Sequence, residues 1–454
     1  MSVQVIATIL VVGSALTPLL PVLAEDRPAE NTRAQSDRPE EPTPDEGEQE
    51  SDEEEPSAEE PAEHERADHA PDALHDAILD RLLKGIVLID RPGFGVETHG
   101  KIQIQYLDAD ADDPSLEDDL FLRRLRPYFF GHIGESWTWK LEGEVSSRIE
   151  AGFTELHQLF LRDVYVRYQG FDARHRRLTL GNQRAPYSRD AMTSSTHLLL
   201  VERSLVGNHR AGVPDRVLGL HYHSEARAGK VAYWGSAGVL GHDPDAGDLK
   251  FKSVINGSGD LNTGLLFAAR VDLHPRGAMT YADGDAHTPE LKYTWSLAGY
   301  RWDNDGDNNP FSEGGVSLDP EMADLDSATG IELSGGLRGR GITLDWQYNR
   351  IWGETVVPDF TGGLYTDGDT RLDVSALEGG YRIPGSIVEL GGALARLDAD
   401  GFVDAFDQAT VVVNLYIVRR FVYKLQLAHT WNFNQLGVPG DDFGQTRIQF
   451  QYVW

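Results

Sequence analysis

The chain has 454 residues, is 40% hydrophobic and 25% charged, and carries a formal net charge of -32 at pH 7. That charge excludes broad binding to nucleic acid or anionic lipid surfaces, and the absence of cysteine excludes a disulfide framework and a thiolate metal site. Past the N-terminal start, no apolar run approaches the roughly 18 residues a membrane-crossing helix needs, so a membrane reading has to rest on strands.

Met1–Ala24 is apolar through most of Val3–Val12, turns at Gly13 and Pro18, and ends in Val22-Leu23-Ala24. This small-residue ending suits signal-peptidase cleavage before Glu25, so residues 1–24 are expected to be a signal peptide, although no Lys or Arg precedes Arg27. Residues 25–72 hold roughly twenty acids against four arginines, with repeated prolines. Self-repulsion and scarce apolar groups predict a disordered acidic linker. Ala73–Ile89 then brings Leu74, Ile78, Leu82 and Leu83 at helical spacing, with Asp72 as N-cap and Gly85 as stop. A short amphipathic helix is expected within residues 73–92, closed by Arg91-Pro92-Gly93.

From Phe94 the pattern changes to period two. Lys101–Tyr106 and Trp137–Ser146 alternate apolar and polar residues, as does the terminal Thr446–Trp454. Further strands are expected at Arg124–Ile133, Leu161–Tyr168, Arg177–Asn182, Val217–His223, Val231–Leu240, Gly264–His274, Leu291–Trp302, Ile331–Arg338, Thr343–Trp352, Arg371–Ile383, Ser386–Leu397, Thr410–Val418 and Val422–Phe433. The total of about sixteen suits a barrel with an aqueous lumen.

Alternation alone also fits a soluble sandwich, but three features favour a membrane. Aromatic residues recur near strand ends, at Trp137 and Trp139, Tyr233 and Trp234, Trp346 and Tyr348, Tyr452 and Trp454, as interfacial girdles require. Long polar connections such as Asp303–Asp326 contrast with short ones such as Gly339-Arg340-Gly341 and Arg419-Arg420. In the last strand Ile448, Phe450, Tyr452 and Trp454 share one face and Arg447, Gln449 and Gln451 the other. The predicted fold is all-β: a transmembrane antiparallel β-barrel of about sixteen strands over residues 94–454, preceded by the disordered acidic segment and the short helix. Its expected site is the Gram-negative outer membrane, with outer-membrane lipid around it.

Leu120–Pro127 followed by Trp137–Val145, then Asp163–Tyr168, then Leu178–Ser188 with Gly181-Asn182-Gln183-Arg184-Ala185-Pro186-Tyr187-Ser188, then Val201-Glu202-Arg203-Ser204, occur in the order found in one family. With the last two strands, they resemble the phosphate-selective porin O and P family, densely over Arg123–Arg216 and Thr410–Trp454. The resemblance implies a sixteen-stranded trimeric porin for passive diffusion of small anions such as phosphate. It also implies an arginine ladder on the lumen wall. Separately, the aromatic terminal strand resembles the signal that the barrel-assembly machinery reads.

Candidate pore-lining anion residues are Arg124 and Arg126, which share a strand face, with Arg167, Arg184 and Arg203. Guanidinium forks suit phosphate geometry and stay charged at any working pH. Alternatively, these arginines pair with lumen carboxylates such as Glu142, Glu144 and Asp163. The lysine cluster of the family has no counterpart in Ser188–Pro214, which holds Arg189, Arg203 and Arg210 but no lysine. Either this loop or Asp303–Asp326 is expected to form the constriction.

Three weaker signals are read conservatively. Asp303–Asn309 spaces carboxylates like a calcium loop but misplaces the glycine and has Gly314 at the twelfth position, so a polar outer loop is expected. His221 and His223 face one side of a strand without an evident third ligand and are expected to line the lumen. Gly335–Gly339 is followed by no helix pattern, so a nucleotide loop is not expected. No cofactor and no metal site are expected. A structural barrel anchoring the envelope through the acidic segment is the alternative. An enzyme is disfavoured because no Gly-x-Ser-x-Gly motif brings a nucleophile and base together.

Overall fold

The structure is a computed structural model that describes residues 85–110, 119–145, 159–171, 176–207, 211–225, 229–243, 249–256, 262–279, 281, 290–304, 312–313, 316–317, 324–417 and 422–454. All of them belong to one unit, Leu79–Trp454. The expected signal peptide, the acidic linker and residues 73–84 of the expected helix lie outside the described residues, as does most of the Asp303–Asn309 motif.

The strands are β1 (Ile86–Arg91), β2 (Phe94–Asp110), β3 (Asp119–Ile133), β4 (Trp137–Val145), β5 (Leu159–Tyr168), β6 (Arg176–Arg184), β7 (Arg216–Glu225), β8 (Val231–Asp243), β9 (Lys250–Lys252), β10 (Asn262–Leu273), β11 (Lys292–Asp303), β12 (Ser312–Glu313), β13 (Val316–Ser317), β14 (Leu325–Gly339), β15 (Ile342–Thr355), β16 (Asp369–Arg382), β17 (Val388–Ala399), β18 (Phe406–Tyr416), β19 (Tyr423–Phe433) and β20 (Phe443–Val453). Sixteen of them, all but β1, β9, β12 and β13, pair antiparallel with their neighbours around a closed barrel. β2 closes the ring on β20, from Lys101 opposite Val453 to Asp110 opposite Gly444. Each of the sixteen strands expected from the sequence matches one of these. Closure removes every sheet edge from the wall, which the interior of a bilayer demands.

The alternation sorts side chains as expected. On β10, Leu265, Phe267, Val271 and Leu273 point outward and are 37% to 52% exposed, while Arg270 and Asp272 point inward and are buried. An exposed apolar belt of this kind is stable only against lipid. In the terminal strand, Ile448 and Phe450 face outward and Gln449 and Gln451 are buried inside.

Two expectations are corrected. Ile86–Arg91 is a strand, not the end of a helix. It pairs with Phe94–Thr98 across the Pro92-Gly93 turn, where Gly93 takes φ 77°. The run Ile86-Val87-Leu88-Ile89 is rich in β-branched residues, which favour that extended pairing. Of the aromatic pairs assigned to girdles, Tyr233 faces outward at 46% exposure, but Trp234 points into the lumen. Adjacent strand residues cannot share a face.

The two ends of the barrel differ. At the end carrying Trp454, β3 and β4 are joined by residues 134–136, and β14 and β15 by Arg340 and Gly341. At the other end β6 and β7 are joined by residues 185–215. The connection between β10 and β11, residues 274–291, is long although β10 ends and β11 begins at the short-turn end.

Candidate functional site: the lumen constriction

The β6–β7 connection folds into the barrel and crosses it. Ser188, at φ 61°, caps the single-turn helix α1 (Arg189–Met192), its hydroxyl accepting from the Ala191 N–H at 3.2 Å. The Glu332 carboxylate accepts from the backbone N–H groups of Ser188 at 2.6 Å and Arg189 at 3.2 Å. The Arg189 side chain reaches Asp345 at 2.6 Å.

Beyond α1 the loop is fastened to the far wall through its backbone. Gln451 donates to the Thr196 carbonyl at 3.1 Å, Lys424 to Leu198 at 2.8 Å, and Asn414 to Leu199 at 2.9 Å. The Leu199 side chain fills a hollow that two wall glycines leave open. A Cβ at Gly380 or Gly391 would come within 2.8 or 2.9 Å of its Cδ1. Glu202 then meets Arg123 at 2.6 Å, Arg124 at 3.2 Å and Gln105 at 2.8 Å. Burial alone would raise the Glu202 carboxyl; the guanidinium groups of Arg123 and Arg124 outweigh it and hold it well below the usual carboxylate range. Burial, reinforced by Lys424 and Lys101, pushes the His197 imidazole down to about 4. Of the two candidate constrictions, Ser188–Pro214 is the one anchored across the lumen; the Asp303–Asp326 stretch lies largely outside the described residues.

The loop occupies the side of the lumen bounded by β14 to β20, β2 and β3. On the side bounded by β5 to β8 an open cavity of 530 Å³ remains. Arg167, Arg177 and Arg184 line it, together with Tyr165, His221, His223, Trp234 and Tyr281. Among the described residues of this lining the one carboxylate is Asp163, and it is bridged by Arg216 at 2.6 Å and Lys140 at 3.0 Å. His221 and His223 both line the cavity; His221 bonds Ser236 at 2.7 Å and His223 stacks on Trp234 at 4.7 Å.

The five arginines singled out from sequence divide into three settings. Arg124 and Arg126 are buried in the wall; Arg126 pairs with Glu144 at 2.9 Å and also donates to the Ser195 hydroxyl. Arg184 and Arg203 fasten the loop, both donating to the Thr193 carbonyl, at 2.9 and 2.6 Å, and Arg203 also to Asp190 at 3.2 Å. Arg167 lies on the cavity, donates to neutral oxygens of Thr179 and Gln183, and stacks over Tyr165 at 4.6 Å.

Sequence reasoning missed Arg123, Lys140, Arg177, Arg216 and the loop anchors Glu332 and Asp345. Arg123 reaches the lumen because the β2–β3 register slips there: Gln103 faces Arg124 but Ile104 faces Leu122. A bulge of this kind turns two successive side chains to one side, against the period-two rule. Arg216, ending the loop at the start of β7, was visible as a charged residue at a strand start, but nothing in the pattern marked its partner.

The sequence profile of the family described as "Phosphate-selective porin O and P" matches residues 96–332. No curated protein matches the chain. Among solved structures, a loop L8 deletion form of OmpT, an outer membrane protein of Vibrio cholerae, superposes with a TM-score of 0.51 at 11% identity, covering 80% of this chain and 100% of that one. The outer membrane channel DcaP of Acinetobacter baumannii gives a TM-score of 0.50 at 12% identity, covering 81% of this chain and 100% of that one. At these identities the likeness is one of fold. The family profile spans more than half of the chain, and the barrel with its inward-folded loop is the architecture expected of such a protein: the chain belongs to the phosphate-selective porin O and P family and is an outer-membrane porin.

Proposed function

We propose that the chain forms a passive, anion-preferring diffusion channel. The observation that carries this reading is the charge of the open cavity. Three guanidinium groups border it, and the carboxylate beside them is already held between Arg216 and Lys140. Fixed cations in a narrow passage with low-dielectric walls raise the local concentration of anions and lower that of cations. Phosphate is one candidate permeant, since guanidinium matches it bidentately. Lysines on the lumen side come from wall strands and are committed: Lys101 to Ser195 Oγ at 2.7 Å, Lys424 to the Leu198 carbonyl at 2.8 Å and Lys140 to Asp163 at 3.0 Å. The reading is therefore of a general anion channel before a phosphate-specific one. Export by residues 1–24, assembly as a homotrimer and delivery through the barrel-assembly machinery by the terminal strand complete the proposal, as family expectations. No catalytic chemistry is assigned.

Reversal potentials of the purified full chain in planar bilayers under a potassium chloride gradient test it. Chloride permeability should exceed that of potassium several-fold, and added phosphate should compete with chloride current. A preference for potassium overturns the reading.

A further inference from the structure

A passage that serves only small hydrated anions gains nothing from aromatic rings on its inner wall, where polar residues are the rule. Here rings and guanidinium groups share one cavity. Tyr165 and Trp234 occupy inward positions of β5 and β8, and Tyr281 enters from the long connection at the short-turn end. Each ring is held in place. Arg167 lies over Tyr165 at 4.6 Å, and His223 stacks on Trp234 with planes 14° apart. Tyr281 meets Trp234 edge-on at 6.3 Å, while its hydroxyl accepts from Arg270 at 2.8 Å and donates to Asp272. Fixing a ring in advance lowers the ordering cost of binding against it.

The cavity volume of 530 Å³ lies within the range of small-molecule sites and well beyond what an inorganic anion fills. Its chemistry is two-part: π surface with a polar handle, beside planar donors that prefer carboxylates. A neutral aromatic would make no use of the guanidinium charge, and an inorganic anion would leave the rings unused.

We infer that this cavity is a binding station for small aromatic carboxylates, the ring packing against Trp234 and Tyr281 and the carboxylate meeting Arg167. The inference rests on the anion-preferring reading above and narrows it to an organic solute class. A bound aromatic ring favours a π-lined site over an aliphatic ring of the same charge by about three- to tenfold.

The test is block of chloride current through the full chain in planar bilayers by three probes. Benzoate has ring and charge, cyclohexanecarboxylate charge alone, and benzyl alcohol ring alone. Benzoate should half-block at a concentration at least threefold below that of cyclohexanecarboxylate, and benzyl alcohol should not block. Trp234→Leu should bring benzoate to the cyclohexanecarboxylate value, Trp234→Phe should keep the difference, and Arg167→Gln should weaken both acids. Heat-modifiable gel mobility shows that each variant is folded. Equal block by the two acids in an anion-selective pore overturns the aromatic inference alone. A potassium-selective pore that benzoate leaves open overturns the anion-preferring reading with it.

Discussion

Arg270 and Glu332 meet in a two-armed ion pair inside the barrel, Arg270 Nη1 lying 3.0 Å from both carboxylate oxygens, with both side chains fully buried. The pair joins β10 to β14 across the intervening β11, and Glu332 spends its remaining acceptor capacity on the backbone of Ser188 and Arg189. One carboxylate thus ties the wall to the root of the constriction loop. Glu332→Gln would leave Arg270 with Asp272 as its remaining carboxylate and would present an amide N–H to other donors. Breaking such a buried pair costs on the order of 3–5 kcal/mol. A lower temperature for loss of the folded gel mobility and a larger, noisier single-channel conductance are expected. Unchanged conductance would show that the loop is held without this contact.

Acid should loosen the same loop at its far end. The His197 imidazole, close to Lys424 and Lys101, is pushed down to about 4 by burial and by those cations, so the docked loop binds it neutral. A freed loop would protonate it near 6.5. The undocked state therefore binds more protons, and docking weakens as the pH falls from about 6.5 to about 4. Glu202 acts in a lower window. Its carboxyl is held well below the usual range by Arg123 and Arg124, so its contribution is full above about pH 5, where a freed carboxyl is ionised, and is lost progressively as the pH falls from there through the depressed docked value. Channel closures and current noise should rise between pH 6.5 and 4, and His197→Gln should flatten that rise. A flat profile in the unsubstituted chain would rule this out.

The wall was legible in the sequence, and the passage inside it was much less so. Every barrel strand follows a period-two signal because one face must meet lipid along its whole length, and that constraint is written locally. Trp234 shows the limit, since an aromatic at a strand end reads as a girdle residue until its neighbour Tyr233 takes the outward place. Arg123 shows another, since a bulge changes a side chain's face without changing composition. The loop's path is least local of all: Asn414 binds the Leu199 carbonyl across 215 residues of sequence. No spacing rule connects those two positions. The division of the five arginines into wall, loop fastener and cavity depends on partners that sequence does not pair.

The hollow for Leu199 can be closed from the wall side. Gly380→Ala or Gly391→Ala puts a methyl within 2.8 or 2.9 Å of Leu199 Cδ1, so the Leu199 side chain has to shift in its seat. Leu199→Ala empties the same hollow and removes buried apolar contact, at a cost of about 2–5 kcal/mol. Each single change should lower the thermal transition of loop order, followed by protease sensitivity within residues 188–214. Combining Leu199→Ala with Gly380→Ala should recover part of the loss, because the new methyl occupies space the old side chain vacated. Strict additivity of the two would show that they do not share the hollow.

Selectivity and loop order should separate by residue. Arg167 borders the cavity and, among the described residues, bonds the neutral oxygens of Thr179 and Gln183, so its charge acts on the passage. Arg203 is committed to Asp190 and the Thr193 carbonyl, so its charge acts on the loop. Arg167→Glu changes the cavity by two charge units, and near 4 to 8 Å even a high effective dielectric makes that worth several-fold in ion partitioning. The chloride-to-potassium permeability ratio should therefore fall sharply, and more so at low salt, where screening is weakest. Arg203→Gln should instead leave Asp190 short of its partner and raise conductance and protease sensitivity, while the permeability ratio moves little. Reversal potentials at two ionic strengths, with limited proteolysis of the same preparations, distinguish the two roles. If Arg203→Gln shifted the ratio as far as Arg167→Glu, the open side of the lumen bordered by β5 to β8 would not be the conducting path.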